Sequence, residues 1–396
     1  MKGLCIRLPQ PKVAEFFAGI GLVGHALNLE GCEVVFANDI DPVKHRMFEA
    51  NFDDSVFNVG DIRNVHGRHV PDVDIAAASF PCTDLSLAGN RAGLTGEHSG
   101  MFWEFTRVLD EMGHRRPSVV MLENVVGFFS SNGGKDLHAA ISELNALGYR
   151  CDLVLTDAKW FVPQSRPRVF IIGTSASVPV RGDESAPSAR PAWFTEFAAQ
   201  NPDLKLQEFG ARIPVAGDIH LSSVVEGMPE NDSRWWDANR TQAFVDSLSD
   251  LQSARIRKLC GGAALEWRTA YRRTRNGVPV WEVRPDGIAG CLRTARGGSS
   301  KQAVVEAGRG ILRVRWMTAR EYARLQGVPD FQLRSVTESQ AMFGFGDAVC
   351  VPVVQWIARE YLLPSLGAAI SERLETDDRI PVCRGRVALR ACPQVC

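Results

Sequence analysis

Short apolar runs alternate with helix-like segments along the first 175 residues of this 396-residue chain. The apolar runs are typical of buried strands, and between them apolar residues recur every three or four positions, as they do in helices. The predicted strands are 13–17, 34–38, 73–79, 119–122, 149–155 and 168–174. The predicted helices are one that ends near residue 30, then 41–51, 99–112 and 135–147. This alternation predicts an α/β fold with a mostly parallel sheet and helices on both faces.

The pattern changes after residue 175. Residues 176–215 are rich in Pro, Ser, Ala and Gly and have weak periodicity, so we place a domain boundary there. Residues 216–310 carry many arginines and tryptophans, and helical spacing returns at 318–326 and 351–361. The predicted organisation is a first domain, a smaller second domain, a return to the first domain and a tail, at 1–175, 176–310, 311–365 and 366–396.

Composition narrows the class of protein. A hydrophobic content of 45% and a charged content of 23% are typical of globular proteins. We find no run of about 18 apolar residues and no apolar core of a signal peptide near the N-terminus, so we expect no membrane span. The ten cysteines are scattered without a CxxC pair or a Cys/His cluster. That pattern favours a reducing cytoplasm and predicts no metal site.

Charge is unevenly distributed although the net charge is only −1. Residues 231–320 contain 17 Lys and Arg against 8 Asp and Glu, so the rest of the chain carries −10. A basic segment beside an acidic body is typical of a protein that binds a polyanion. The alternative is an ordinary solvated surface.

A glycine-rich loop follows the first predicted strand. Gly19, Gly21 and Gly24 match G-x-G-x-x-G, and Asp39 ends the second strand about twenty residues later. The glycines permit close approach of the backbone to a ligand, and Asp39 is placed to bind a ribose diol. The loop therefore predicts a cofactor that contains adenosine, without choosing between NAD and S-adenosylmethionine.

An adenine slot is predicted beside that loop. Phe17 supplies an apolar wall, and Asp61, followed by Ile62, supplies a carboxylate for the exocyclic amine. The alternative for Asp61 is a turn aspartate that precedes a helix.

Cys82 directly follows the strand 73–79 and is preceded by Pro81. Because α/β folds place ligands at the carboxyl ends of their strands, Cys82 is a candidate nucleophile. The alternative is an inert thiol. The polar, glycine-containing segment 83–100 suits a loop that closes over a substrate, although an ordinary surface loop has the same composition.

Three more residues are candidates for the same edge of the sheet. Glu123 ends a strand, and a carboxyl group there can exchange a proton with a pyrimidine N3 and accept from an exocyclic amine. Arg166 and Arg168 lie in a Pro-containing turn and can stiffen the site or contact a phosphate or carbonyl oxygen. The alternatives are a helix-capping or salt-bridged glutamate and a pair of structural arginines.

The order of these motifs resembles that of the cytosine-C5 DNA methyltransferase family, of the bacterial or phage modification type. The resemblance covers most of the chain and rests on Phe17–Gly21, Asp39, Asp61, Pro81-Cys82, Glu123-Asn124-Val125, Gln164–Arg168, Arg315–Asp330 and Gly344–Val349. Residues 176–310 occupy the place of the family's variable target-recognition domain. Three residues depart from the usual pattern, namely Thr83 after the cysteine, Asp39 where Glu is usual, and Asp347 where Asn is usual.

The resemblance implies a Rossmann-like domain that binds S-adenosylmethionine, a smaller target-recognition domain, and methylation of cytosine C5 through a covalent adduct of Cys82 at C6. Glu123 would stabilise the adduct at N3, while Arg168 would hold the base or lower the thiol pKa and Arg166 would support the loop. The implied cofactor-binding residues are Phe17, Ala18, Gly19, Ile20, Gly21, Asp39, Ile40, Asp61, Ile62, Pro81, Asp347 and Ala348.

The resemblance also implies binding to double-stranded DNA, since a stacked cytosine must be flipped out before its C6 can be attacked. The predicted DNA contacts are Thr83, Ser86, Arg91, Arg272, Arg273, Arg275, Arg293, Arg296 and Lys301. We expect a cytoplasmic monomer, solitary or paired with an independent restriction endonuclease. The alternatives are a tRNA methyltransferase, a catalytically silent DNA-binding relative and a nicotinamide oxidoreductase, although the last leaves Cys82, Glu123 and the arginine turn unexplained.

Overall fold

Seven strands from the first 174 residues form one sheet in the computed structural model. The structure describes residues 10–81, 93–96, 100–175, 190, 192–208, 217, 219–275, 277–294 and 301–367. The strands are β1 (Lys12–Phe16), β2 (Glu33–Asp39), β3 (Phe57–Val59), β4 (Ile75–Ala78), β5 (Val119–Val125), β6 (Arg150–Asp157) and β7 (Pro167–Thr174). Their order across the sheet is β3-β2-β1-β4-β5-β7-β6.

The sheet is parallel except at β7, which runs antiparallel to both β5 and β6. Strand β5 is three residues longer than predicted, because its last residues, including Val125, continue to pair with β7 as far as Arg168. The α/β prediction with a mostly parallel sheet is confirmed.

Helices cover both faces of this sheet. The α-helices of the described residues are α1 (Leu22–Leu29), α2 (Pro42–Glu49), α3 (Met101–Met112), α4 (Lys135–Ala146), α5 (Ala192–Gln200), α6 (Ala238–Asp246), α7 (Asp250–Cys260), α8 (Ala319–Leu325), α9 (Glu338–Asp347) and α10 (Val351–Ile357), of which α6 and α7 cover the second sheet described below. Neighbouring residues of β4 belong to different core clusters, with Ala77 beside α1 and the last three helices and Ala78 beside α3 and α4. This alternation explains why the central strands are apolar throughout.

A second sheet contains β8 (Glu266–Arg275), β9 (Val278–Val283), β10 (Gln302–Gly308) and β11 (Ile311–Trp316), all antiparallel. One face packs under α6 and α7, while Trp267 and Val304 on the other face join the core of the large sheet. The boundary predicted at residue 310 falls within the β10–β11 hairpin, because the turn at Arg309 and Gly310 joins two paired strands. The division of the chain into domains otherwise stays a prediction.

The helical stretch Glu338–Gly367 has a mean hydropathy of 1.5 in its most apolar window, which by length and composition suffices to cross a membrane. However, 72% of that window is buried within the protein, as expected of a core element.

Candidate active site

One edge of the large sheet brings together the predicted glycine loop, Pro81, Glu123 and Arg168. Phe16, Ala78 and Leu122 are register partners on the neighbouring strands β1, β4 and β5. The glycine loop after β1 and the segment from β4 to Pro81 therefore begin at the same edge of the sheet. Glu123 on β5 lies at this edge as well. Because β7 is antiparallel, Arg168 near its start lies at this edge too.

The glycine loop has backbone geometry that few side chains tolerate. Phe17, Gly19 and Gly21 have φ angles of 55°, 58° and 80°. A Cβ at Gly21 would lie 2.5 Å from the Phe48 ring, so only glycine fits. A left-handed conformation at a residue such as Phe17 is costly and is typical of functional loops.

Asp39 fixes the glycine loop from the next strand. Its Oδ2 accepts a hydrogen bond from the Gly19 amide at 2.8 Å, and its Oδ1 accepts one from the Asp41 amide at 2.9 Å. The predicted ribose-binding carboxylate is thus held beside the loop by two backbone donors.

The third glycine of the fingerprint has a different purpose from the first two. Glu15 Oε2 accepts a hydrogen bond from the Gly24 amide at 2.9 Å, and a Cβ at position 24 would lie only 2.5 Å from that oxygen. Gly24 therefore makes room for a buried carboxyl group at the start of α1. Burial raises the pKa of Glu15 to about 8.

Three more of the predicted cofactor-binding residues, Ile40 and the adenine-slot residues Asp61 and Ile62, differ in exposure and contacts. Ile40 follows Asp39 and its side chain is 63% exposed. Asp61 begins a short helical turn and pairs with Arg63 at 2.5 Å, and this hydrogen bond lowers its pKa. That geometry is the turn aspartate named as the alternative. Ile62 is only 3% exposed and packs in the core, so its side chain does not line an open slot.

Pro81 is the last described residue before the nucleophile candidate. Cys82, Thr83, Ser86 and Arg91 lie outside the described residues. The approach to Cys82 is held by Asn124, whose Nδ2 donates to the Phe80 carbonyl at 3.2 Å. The ends of β4 and β5 are joined by this contact.

Glu123 forms an ion pair with Arg168, with 2.8 Å between Oε1 and Nε. Both side chains are nearly buried, and Arg168 also donates from Nη1 to the Pro167 carbonyl at 2.8 Å. The arginine thus fixes the orientation of the carboxylate at the sheet edge.

Arg166 is a positioning residue, not a group placed to touch substrate. Its buried guanidinium donates to the carbonyls of Leu292 at 2.9 Å, Gly346 at 3.1 Å and Ala348 at 2.6 Å. Burial, followed by the charge of Arg168, lowers the pKa of Arg166. These three hydrogen bonds tie the β6–β7 turn to the last predicted cofactor motif, which agrees with the expected supporting role of Arg166.

Cys291 was not found by sequence reasoning, yet its sulfur lies beside both arginines. The distances to Sγ are 3.5 Å from Arg166 Nη1 and 3.9 Å from Arg168 Nη2. Burial raises the pKa of this thiol, but the two guanidinium groups outweigh it, and the pKa is lower than that of an ordinary cysteine. No sequence signal linked this isolated cysteine to residues more than 120 positions away.

Asp347, predicted at the methionine end of the cofactor, pairs with a lysine that the sequence did not single out. The Lys44 Nζ lies 2.8 Å from Asp347 Oδ2. Beyond it, Ala348 contributes the carbonyl that Arg166 holds.

The family model for C-5 cytosine-specific DNA methylases matches residues 11–362. The chain belongs to this family. It is therefore an enzyme of the DNA (cytosine-5-)-methyltransferase type, which confirms the resemblance stated above.

Curated relatives of this DNA methylase span nearly its whole length. The chain is 32% identical over 355 residues to the type II methyltransferase M.HaeII of Haemophilus aegyptius, covering 88% of this chain and 91% of the relative. It is 26% identical over 345 residues to M.NgoBI of Neisseria gonorrhoeae, covering 87% and 90%.

Solved structures share the fold of this DNA methylase. The S. pombe Dnmt2 methyltransferase has a TM-score of 0.59 at 18% identity, covering 90% of this chain and 99% of that one. A putative DNA modification methyltransferase encoded within an E. coli prophage has a TM-score of 0.56 at 18% identity, covering 91% and 100%.

The arginines predicted to contact DNA do not form one surface. Arg272 lies on the face of β8 that carries Ala270 and is covered by α6 and α7, whereas Arg273 and Arg275 lie on the opposite face. Glu282 approaches both, at 3.9 Å from Arg273 and 2.5 Å from Arg275. The predicted set of three is therefore split by the alternation of a strand.

Two further predicted DNA contacts, Arg293 and Lys301, lie beside α9. The backbone of exposed Arg293 packs against Gly346, where a Cβ would lie 2.5 Å from it. Lys301 Nζ lies 3.4 Å from the Ser339 hydroxyl. Arg296 lies outside the described residues.

Proposed function

We propose that this DNA methylase transfers a methyl group from S-adenosylmethionine to C5 of a flipped-out cytosine in duplex DNA, through a covalent adduct between Cys82 and C6. We place it in the bacterial cytoplasm as a modification enzyme, with a restriction endonuclease as an independent counterpart. The observation that supports this proposal is the shared sheet edge. The glycine loop, the chain entering Cys82 at Pro81, and the Glu123–Arg168 pair all occur there.

The described residues fit the proposed cofactor. Gly19 and Gly21 allow close approach of the ligand, Asp39 offers acceptors beside them, and exposed Ile40 offers an apolar surface to a base. When bound, S-adenosylmethionine would supply an electrophilic methyl group. The protein's part is to hold the donor beside the residue that activates the base.

The base is activated in two steps. The Cys82 thiolate adds to C6, and Glu123 stabilises the extra electron density by sharing a proton with N3. C5 is then nucleophilic enough to accept the methyl group. Methyl transfer leaves the donor as the neutral thioether, and transfer of the C5 proton to water with departure of the Cys82 thiolate restores the aromatic ring and the free enzyme.

Arg168 orients this chemistry from the Glu123 side. Its Nε holds one carboxylate oxygen, so the carboxyl group does not need to search among rotamers when a base arrives. Arg166 acts indirectly, because it holds the Ala348 carbonyl and the turn that carries Arg168.

The substrate is tested by methyl transfer from labelled S-adenosylmethionine to unmethylated genomic DNA and to bulk tRNA in parallel, with 5-methylcytosine mapped at base resolution. We expect label in DNA at one short motif and none in tRNA. Label in tRNA alone would replace the proposed substrate with RNA.

The covalent step is tested by Cys82→Ala, which should retain binding of DNA and cofactor and lose methyl transfer. Normal turnover in this variant would overturn the adduct. Label in neither nucleic acid, with cofactor binding intact in the unaltered chain, would favour a catalytically silent DNA-binding protein.

A further inference from the structure

An ion pair joins the glycine-loop side of the site to the last predicted cofactor motif. Lys44 lies in the first turn of α2, five residues after Asp39, and reaches Asp347 across 303 positions of sequence. The side chains are 15% and 40% exposed, respectively. A partly exposed pair of this kind adds only modestly to stability, so we consider its position in the site.

Lys44 lies among several carboxylates. Burial lowers its pKa, but the charges of Asp347, Asp39 and Asp41 outweigh that effect, and the pKa of Lys44 is raised. The lysine is therefore a cation whenever the site operates. Its Nζ also lies 5.8 Å from the centre of the Phe343 ring, one turn before Asp347.

The negative charge of Asp347 is stabilised by the Lys44 ammonium group. Asp347 is the last residue of α9, where the carbonyl groups at the helix end carry partial negative charge. A carboxylate at this place is mildly unfavourable, and a positive charge beside it offsets that effect. Lys44 supplies the charge, because its Nζ is within hydrogen-bond distance.

Close packing keeps this pair against the glycine loop. A Cβ at Gly344 would lie 2.9 Å from both Ile20 of the loop and Met47 of α2. A Cβ at Gly19 would lie 3.8 Å from the Lys44 side chain. The stem of Lys44 therefore runs beside the loop, and its ammonium group ends at Asp347.

We propose that Lys44 is a positioning residue of the cofactor site that neutralises Asp347 and thereby limits how strongly the site prefers a cationic sulfonium to its neutral thioether product. This inference rests on the proposed function, in which S-adenosylmethionine binds over the Gly19–Gly21 loop. An unpaired carboxylate at 347 attracts a sulfonium but not a thioether. The amino-acid and adenosine parts of the two molecules are the same, so their contributions cancel in the affinity ratio.

The test measures Kd for S-adenosylmethionine and for S-adenosylhomocysteine by calorimetry on the full chain and its variants. Lys44→Met should raise the preference for the sulfonium about 3- to 10-fold, the effect of one unit charge several ångströms away at intermediate dielectric. Asp347→Asn leaves Lys44 unpaired and should lower the preference by a similar factor. The double variant should return close to the unaltered ratio.

Lys258→Met provides the matched control, because Lys258 is an exposed lysine on α7 in the second sheet's helical layer. The ratio of its Kd values for S-adenosylmethionine and S-adenosylhomocysteine should equal that of the unaltered chain. Thermal melting reports whether each variant is folded. If Lys44→Met does not fold, Asp347→Asn still tests the inference.

Two failures are distinguishable. Equal ratios in Lys44→Met, Asp347→Asn and the unaltered chain, with binding intact, would overturn this inference and leave the proposed function standing. Failure of the unaltered chain to bind either molecule would overturn the proposed cofactor, and the inference with it.

Discussion

Arginines at the edge of the large sheet are mostly buried, whereas arginines on the β8–β9 hairpin are largely exposed. The Arg166 side chain is buried and donates to three backbone carbonyls, while the Arg275 side chain is 67% exposed and pairs with Glu282 alone among the contacts described for it. A guanidinium group that is buried among fixed carbonyls is held in one set of hydrogen bonds. An exposed one can exchange its carboxylate for a phosphate at little cost.

The difference shows why positive charge in a sequence is a weak guide to DNA contacts. Residues 231–320 contain 17 Lys and Arg, yet several of these arginines are neutralised by nearby carboxylates. Arg234, Arg268, Arg284, Arg313 and Arg315 each have a carboxylate partner within 3 Å. The charge available to a polyanion is therefore smaller than the count suggests.

The largest effect is expected at the buried edge, from Glu123→Gln. The amide keeps the shape of the side chain but cannot exchange a proton with cytosine N3, so turnover should fall by about 10²–10⁴. Methyl transfer under single-turnover conditions measures it, with cofactor Kd as the control for folding. A rate close to that of the unaltered chain would remove Glu123 from the proposed chemistry.

An intermediate effect is expected from Glu15→Gln, which tests how the large sheet treats a buried carboxyl group. The folded-state pKa is about 8, above the ordinary value of 4.5, so the folded chain holds a proton that the unfolded chain has lost. The contribution of Glu15 to stability should therefore be fully present below about pH 4.5 and be lost as the pH rises toward 8.

Glutamine keeps the acceptor for the Gly24 amide and does not ionise. The free energy of unfolding of Glu15→Gln should therefore exceed that of the unaltered chain by about 1–3 kcal/mol at pH 8, and the gap should close toward pH 5. Urea unfolding at both pH values measures this. Parallel pH profiles for the two chains would contradict the proton assignment.

The smallest effect is expected on the exposed hairpin. Replacing Arg273 and Arg275 together by Gln should reduce the slope of log affinity for DNA against log salt by about 1–2 units, since each phosphate contact contributes about 0.9. Their face continues the one that packs toward the large sheet through Val304. The free energy of unfolding should change by less than about 0.5 kcal/mol.

Arg272→Gln is the matched control. Arg272 directly precedes Arg273 in the sequence but lies on the opposite face of the strand. Fluorescence anisotropy over a salt series should show an unchanged slope for it. Equal slopes for the double variant and the control would move the phosphate contacts away from this hairpin.

Much of the large sheet was predictable because its strands are local patterns. The apolar runs that became β1, β4 and β5 are recognisable without knowledge of their neighbours, and strand ends locate Glu123 at the same edge as the glycine loop. The Asp61 turn was also recognisable, since its pairing with Arg63 involves residues two positions apart. The burial of the Ile62 side chain was not predictable, because its apolar character suits a core as well as a ligand slot.

The sequence by itself determined the family, the order of the motifs and the α/β alternation, since these depend on residue types and on spacings along the chain. Only the tertiary structure decided that Gly24 accommodates Glu15, that Arg166 fastens two distant segments, and that Lys44 neutralises Asp347. The physical reason is that a hydrogen bond or ion pair depends on distance in space. Lys44 and Asp347 are 303 residues apart, and only the packing of α9 against α2 and the glycine loop brings their charges within 2.8 Å.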